Sequence, residues 1–184
     1  MSRIRFMCAT AIVAVSAAFG TNALANPMVG GAPMFQEKNI IENAMNSRDH
    51  TTLVAAVKAG GLVDTLEGAG PFTVFAPTNE AFAALPAGTV DTLLKPENKP
   101  TLDKILTYHV IAGKLDTAAL DKDIMAGGGK TQIKTVQGEA LWVSGSGKNL
   151  MITDAKGNMA KVTIADVYQS NGVILVVDKV LMPN

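Results

Sequence analysis

Gly70-Pro71-Phe72-Thr73-Val74-Phe75-Ala76-Pro77-Thr78-Asn79-Glu80-Ala81-Phe82-Ala83-Ala84-Leu85 is the stretch that decides the fold. Gly70-Pro71 signals a turn. Phe72, Val74 and Ala76 alternate with Thr73 and Phe75, the pattern of a strand buried on both faces. Pro77 has no N–H to donate, so the strand ends there. Thr78 caps the helix that follows, and Glu80 falls in its first turn, where the helix dipole favours a negative charge. Phe82 and Leu85 share one face of that helix. No nucleophile, base or metal-ligand set stands in these sixteen residues, so their signals are all structural.

Upstream, Arg3 and Arg5 precede an apolar run from Phe6 to Phe19, and Ala23-Leu24-Ala25 is a small-x-small cleavage pattern. This predicts a signal peptide over residues 1–25. The run is shorter than the about 20 residues that span a bilayer, and no later stretch is long enough, so no stable membrane span is expected after cleavage. The remaining 159 residues suffice for one domain with its own core. They carry 14 basic and 16 acidic residues, without a basic stripe for nucleic acid or a basic amphipathic helix for a membrane surface. The single cysteine, Cys8, lies inside the signal, which excludes disulfides, thiol catalysis and cysteine metal sites from the exported part.

Residues 26–37 hold two prolines and a Gly-Gly pair without periodicity, and read as a flexible leader before a single domain over 38–184. Helical spacing predicts a helix over 39–46 and another beyond it, capped by Asp49 or Thr51 and broken at Gly60-Gly61. Further helices are expected after Pro86 and from a Thr101 cap, the latter running through Tyr108 to Ile111 and stopping at Gly113, with a short helical turn over 116–120. From Lys130 the period changes to two. Residues 131–136 and 140–143 flank a hairpin turn, and strands follow over 150–153, 160–167 and 173–182. Helices first and strands later argue an α+β fold with a mixed, mostly antiparallel sheet.

Three segments then resemble the motifs of one family. Thr73 to Phe82 is similar to the first signature of the fasciclin (FAS1) domain, Leu106-Thr107-Tyr108-His109-Val110 to its central Tyr-His motif, and Ser170 to Leu181 to its second signature. They occur in family order and spacing, and cover roughly residues 40–183. Thr135-Val136-Gln137-Gly138 also resembles a hairpin of the family. The resemblance implies a wedge of strands with several helices packed on it, the first motif lying against the second. It further implies a small secreted or periplasmic bacterial member acting in adhesion or matrix binding. One departure is Leu175, where the family often has histidine, so no role of that histidine carries over.

Each chemical candidate has a simple alternative. His109 follows Leu102 by seven residues and shares its apolar face, as a core histidine hydrogen-bonded to backbone would. The only other histidine is His50, and the two make no metal-binding pattern. Gly129-Lys130-Thr131 imitates the end of a phosphate loop, but the required upstream glycine is replaced by Ile124 and a strand follows instead of a helix. No Gly-x-Ser-x-Gly elbow is present. Asp166-Val167 falls where animal members of the resembled family have an Asp-Ile pair linked to integrin recognition; here it reads as a strand-end aspartate at the surface. The exported methionines show no copper pattern and read as core filling.

Tyr108, His109, Asp166 and Asp178 are therefore the candidate recognition residues, and no catalytic, cofactor or metal residues are assigned. The expected function is a non-enzymatic, exported module in the periplasm or outside the cell, binding a cell-surface or matrix protein or polysaccharide. The alternative is a periplasmic carrier of a small hydrophobic ligand such as a carotenoid or lipid, an idea that rests on analogy with other members of the resembled family.

Overall fold

The computed structural model describes residues 26–147 and 149–184; the expected signal peptide over 1–25 lies outside the described residues. The fold is α+β. A small hairpin of β1 (Met28–Val29) and β2 (Ala32–Pro33) leads into α1 (Ile40–Asn46), α2 (Thr51–Gly60) and α3 (Val63–Glu67). The deciding stretch then forms β3 (Phe72–Pro77) and α4 (Asn79–Ala83). After it come α5 (Thr89–Leu93), α6 (Lys99–Tyr108), β4 (Val110–Ala112) and α7 (Thr117–Ala126). The chain finishes with β5 (Lys130–Lys134), β6 (Ala140–Ser144), β7 (Met151–Thr153), β8 (Met159–Gln169) and β9 (Gly172–Val177).

The seven-stranded sheet has the order β4-β3-β9-β8-β7-β6-β5. Its β3–β9 pair is parallel, in register from Phe72–Gly172 to Pro77–Val177, and the other pairs are antiparallel. The first and second motifs are thus adjacent strands, as the resemblance implies. Both strands are apolar apart from Thr73, whose hydroxyl is hydrogen-bonded to Gly113 and Leu115, because both faces are covered. Val74, Ala76, Ile174 and Val176 join a cluster with Leu53, Val57, Leu102 and Leu106 of the helices. Phe75, Leu175 and Val177 join a second cluster with Leu120 and Ile124 of α7 and the inward residues Leu141, Val143 and Ile152. Gly172 permits the close pairing: a Cβ there would sit 2.0 Å from the Phe72 carbonyl oxygen.

The turn, strand, proline stop and cap of the deciding stretch act as read, but α4 ends at Ala83, so Leu85 lies beyond the helix face it was expected to share with Phe82. Thr78 Oγ1 accepts from the Ala81 N–H at 3.2 Å and starts α4. Asn39 and Glu42 form a capping box on α1. Several expectations are corrected; the strand expected over 173–182 ends at Val177, and the residues after it form an irregular tail.

The expected flexible leader over 26–37 is instead the β1–β2 hairpin, which buries Val29 and Met34 in the helical cluster. Its glycines make a turn: Gly30 and Gly31 have φ of +59° and +75°. Arg48 N–H donates to the Gly30 carbonyl at 3.2 Å.

Neither Asp49 nor Thr51 caps α2. A 3-10 turn over Arg48–His50 precedes it, and the free N–H of Thr52 is bound by Asn79 Oδ1 at 3.0 Å. The helix expected from Thr101 begins two residues earlier, at Lys99. Instead of continuing to Ile111, α6 ends at Tyr108, and Val110–Ala112 pair with Phe72–Val74 as an edge strand. The short helical turn expected over 116–120 extends to the ten residues of α7, with Asp116 Oδ1 accepting from Ala119 N–H at 2.9 Å.

Candidate functional site

The junction of α6 and β4 carries Tyr108 and His109, and both are enclosed. His109 is 3% exposed. Its Nδ1 lies 2.8 Å from the Ile105 carbonyl and its Nε2 accepts from the Leu181 N–H at 2.9 Å. These two partners require the neutral tautomer with the proton on Nδ1. Burial pushes the ring down to about 4, because the charged form would be desolvated; the Ile105 carbonyl opposes this. Tyr108 donates from its hydroxyl to the Ala140 carbonyl at 3.2 Å and accepts from the Ala155 N–H at 2.9 Å. Burial raises its pKa above the ordinary phenol value. His109 is the hydrogen-bonded core histidine that its spacing suggested.

Leu181 belongs to an irregular C-terminal tail that several side chains pin. Asp154, buried in the turn between β7 and β8, accepts from Lys156 and Asn158 N–H through Oδ1 and from Met182 N–H through Oδ2, the last at 3.0 Å. Glu139 accepts from Asn184 N–H at 3.0 Å, a bond that holds its carboxyl below the usual range, and Lys104 lies 3.7 Å away. The sequence shows Asp154 as a turn residue only. Its second role depends on the tail returning from 28 residues away and has no local signal.

Asp166 lies within β8 rather than at a surface strand end. The register with β9 shifts on either side of Ile164, and Asp166 takes φ +55° in this bulged part. Its carboxylate faces the start of α7, accepting from the Thr117 N–H at 2.8 Å and from the Thr117 hydroxyl. Asp178 is exposed just after β9, and its Oδ1 accepts from the Lys161 N–H at 2.7 Å. The four candidate residues are thus dispersed: two inside the core, one bracing a helix and one at the rim of the sheet. Leu175, in the place of the family's frequent histidine, is fully buried.

Sequence reasoning passed over a cavity beneath the β1–β2 hairpin. It has a volume of about 40 Å³ and lies among the hairpin, α1, α2 and the helical face of β3 and β9. Val29, Met34, Ile41, Val57 and Leu106 contribute apolar wall, and Ser47, His50 and His109 contribute the polar groups. His50 is buried with Nδ1 2.8 Å from Ser47 Oγ, while Nε2 has no hydrogen-bond partner among the described residues. Burial lowers its pKa, opposed by the nearby Ala76 carbonyl and the Asp49 charge. Among the described residues, no three His, Cys, Asp or Glu side chains gather as metal ligands, and no helix is long and apolar enough to cross a membrane.

Comparison with known proteins agrees with this architecture. The family model named Fasciclin domain matches residues 48–183. Protein sll1483 of Synechocystis is 49% identical over 146 residues, covering 78% of this chain and 73% of the relative. The cell surface glycolipoprotein MPB83 of Mycobacterium bovis is 44% identical over 122 residues, which cover 66% of this chain and 48% of that protein. A solved FAS1 domain pair from the insect cell adhesion molecule Fasciclin I matches with a TM-score of 0.69 at 18% identity, over 79% of this chain and 51% of the other; this likeness concerns the fold alone. With a family model spanning most of its length and a relative of nearly half identical sequence, the chain belongs to the fasciclin domain family.

Proposed function

We propose that this domain is an exported, non-enzymatic binding module that engages a protein or polysaccharide at a cell surface or in the extracellular matrix. The observation that carries the reading is the fate of the polar side chains singled out by the family motifs. His109, Tyr108 and Asp166 have their polar atoms engaged by the protein's own backbone and by Thr117. Such groups hold a rigid scaffold, and a rigid scaffold with open faces serves recognition. Family membership, a relative described as a cell surface glycolipoprotein and a fold shared with an insect cell adhesion molecule support the same reading. The test is attachment of a strain lacking the protein, together with affinity capture from its own envelope. Reduced attachment that the intact gene restores, with a retained partner, is expected. Unchanged attachment with nothing retained refutes the proposal.

The cavity under the β1–β2 hairpin favours a second reading, a carrier of a hydrophobic ligand. A cavity of about 40 Å³ is far smaller than a carotenoid, so that ligand requires the hairpin to lift. Mass spectrometry of protein purified from its source decides it: an extractable apolar molecule in stoichiometric amount supports the carrier, and its absence removes it.

A further inference from the structure

The outer face of β5–β8 is built differently from the rest of the molecule. Strand alternation turns Ile133, Leu141, Val143, Ile152 and Ala160 inward and leaves their neighbours exposed or half-exposed on the outer face. Pairing then aligns those neighbours in two cross-strand rows. One row runs Lys130–Ser144–Met151–Lys161 and the other Gln132–Trp142–Thr153–Met159. At about 4.8 Å per strand, each row crosses roughly 14 Å of nearly flat surface. Lys134 stands on the same face two residues beyond Gln132.

Trp142 is the chain's only tryptophan, and 40% of it remains exposed in the middle of this face. Lys130 Nζ lies 5.1 Å from its ring centroid. The charge is segregated as well. Across residues 127–163 five lysines stand against Glu139 and Asp154, a net of +3, while residues 26–126 carry a net of −4. Both of those acids are engaged elsewhere, Asp154 inside its turn and Glu139 with Asn184. The exposed carboxylate at the border, Asp178, is bonded to the Lys161 N–H.

A flat aromatic ring stacks on the C–H face of a sugar ring, flanking hydroxyl and amide groups bond its hydroxyls, and separated ammonium groups attract repeated anionic substituents along a polymer. We infer that the outer face of β5–β8 binds an acidic polysaccharide, with Trp142 as the stacking platform and Lys130, Lys134 and Lys161 holding its carboxylate, sulfate or phosphate groups. This rests on the surface-binding role proposed above and names the partner's class. A lipid surface fits less well, because the apolar residues Trp142, Met151 and Met159 are interrupted by Ser144 and Thr153 rather than forming a continuous face.

The single tryptophan reads the contact directly. The purified protein is titrated with a polyuronate (alginate), neutral dextran, and vesicles of phosphatidylglycerol and phosphatidylcholine, following Trp142 emission. Expected is a saturable change with the polyuronate that weakens as salt rises, with dextran and vesicles inert. The variant K130Q/K134Q/K161Q leaves the inward face untouched and weakens polyuronate binding about tenfold. Trp142→Ala abolishes binding measured by sedimentation, with an unchanged melt confirming its fold. An unchanged emission with polyuronate at low salt overturns the inference, as does equal binding of dextran or a response to vesicles alone. If K130Q/K134Q/K161Q restores attachment to the deletion strain as fully as the native protein, this face is not the binding site, and the adhesion reading stands without it.

Discussion

His109 couples the stability of the domain to pH. In the folded chain its Nε2 lone pair accepts from the Leu181 N–H. A second ring proton would replace that acceptor with a donor facing another donor, inside a site that water does not reach. The folded ring titrates at about 4 against 6.5 in the unfolded chain. Between these values the unfolded chain holds the proton and the native chain does not. Stability is therefore fully present above about pH 6.5 and is lost as the pH falls towards 4. At about 1.4 kcal/mol per pH unit, the window removes about 3 kcal/mol, a large part of the 5–15 kcal/mol typical of a domain. For this size it lowers the melting temperature by about 6–12 °C. The measurement compares thermal melts at pH 7 and pH 4 for the native protein and His109→Gln. Glutamine offers a donor for Ile105 and an acceptor for Leu181 but does not titrate. His50 is also held below its ordinary value by burial and adds loss in the same direction, but it is present in both proteins and cancels in the comparison. The variant is less stable at pH 7 by about 1–2 kcal/mol, yet loses about 3 kcal/mol less on acidification. Equal losses, or a His109 ring resonance titrating near 6.5, would refute the reasoning.

Three further outcomes follow from the packing. Phe75 on β3 is completely enclosed in the cluster that includes Leu120 and Ile124 of α7, so Phe75→Ala costs about 3–5 kcal/mol in urea unfolding, and a loss under 1 kcal/mol removes it from the core. Asn79→Ala frees the Thr52 N–H and the Arg48 carbonyl together and costs about 1–2 kcal/mol, with faster hydrogen exchange at Thr52; unchanged exchange there contradicts the cap. Gly30→Ala combines a φ of +59° with a Cβ only 2.3 Å from Ser47 Oγ, which displaces the β1–β2 hairpin. Increased binding of an apolar dye and faster exchange at Arg48 are expected, and neither appears if the hairpin tolerates the methyl group.

The parts of the fold legible in the sequence are those whose causes lie within a few residues. Thr78 caps the helix beginning next to it, and the apolar spacing over 39–46 gives α1 its place, although the Asn39–Glu42 capping box that starts it went unread. Asn79 looked like part of the same helix start, yet it serves α2, 27 residues upstream, through a contact that only tertiary folding creates. β4 escaped notice because three apolar residues directly after an amphipathic helix continue its pattern, and the edge of β3 rather than local propensity makes them a strand. Residues 26–37 misled for the opposite reason. Gly-Gly and proline suit a turn as well as a disordered segment, and the burial of Val29 and Met34 depends on a trough that α1 and α2 build later. Of the candidate residues, His109 was readable as core from its spacing. The inward commitment of Asp166 was not, because a bulge in β8 turns its carboxylate towards α7.

The parallel pair at the middle of the sheet has a consequence for how the chain is made. β9 lies between β3 and β8, yet among the described strands it comes latest in chain order and so is made after both of its neighbours. Until residues 172–177 arrive, β3 with β4 and the β5–β8 meander are separate pieces, each with an unpaired inner edge. Closing the gap joins segments about 100 residues apart, which slows folding and keeps those edges available to other chains meanwhile. A nascent or truncated chain lacking this strand is thus not a slightly smaller domain but two adhesive half-sheets. Protection of these edges before completion falls to whatever handles the unfolded chain.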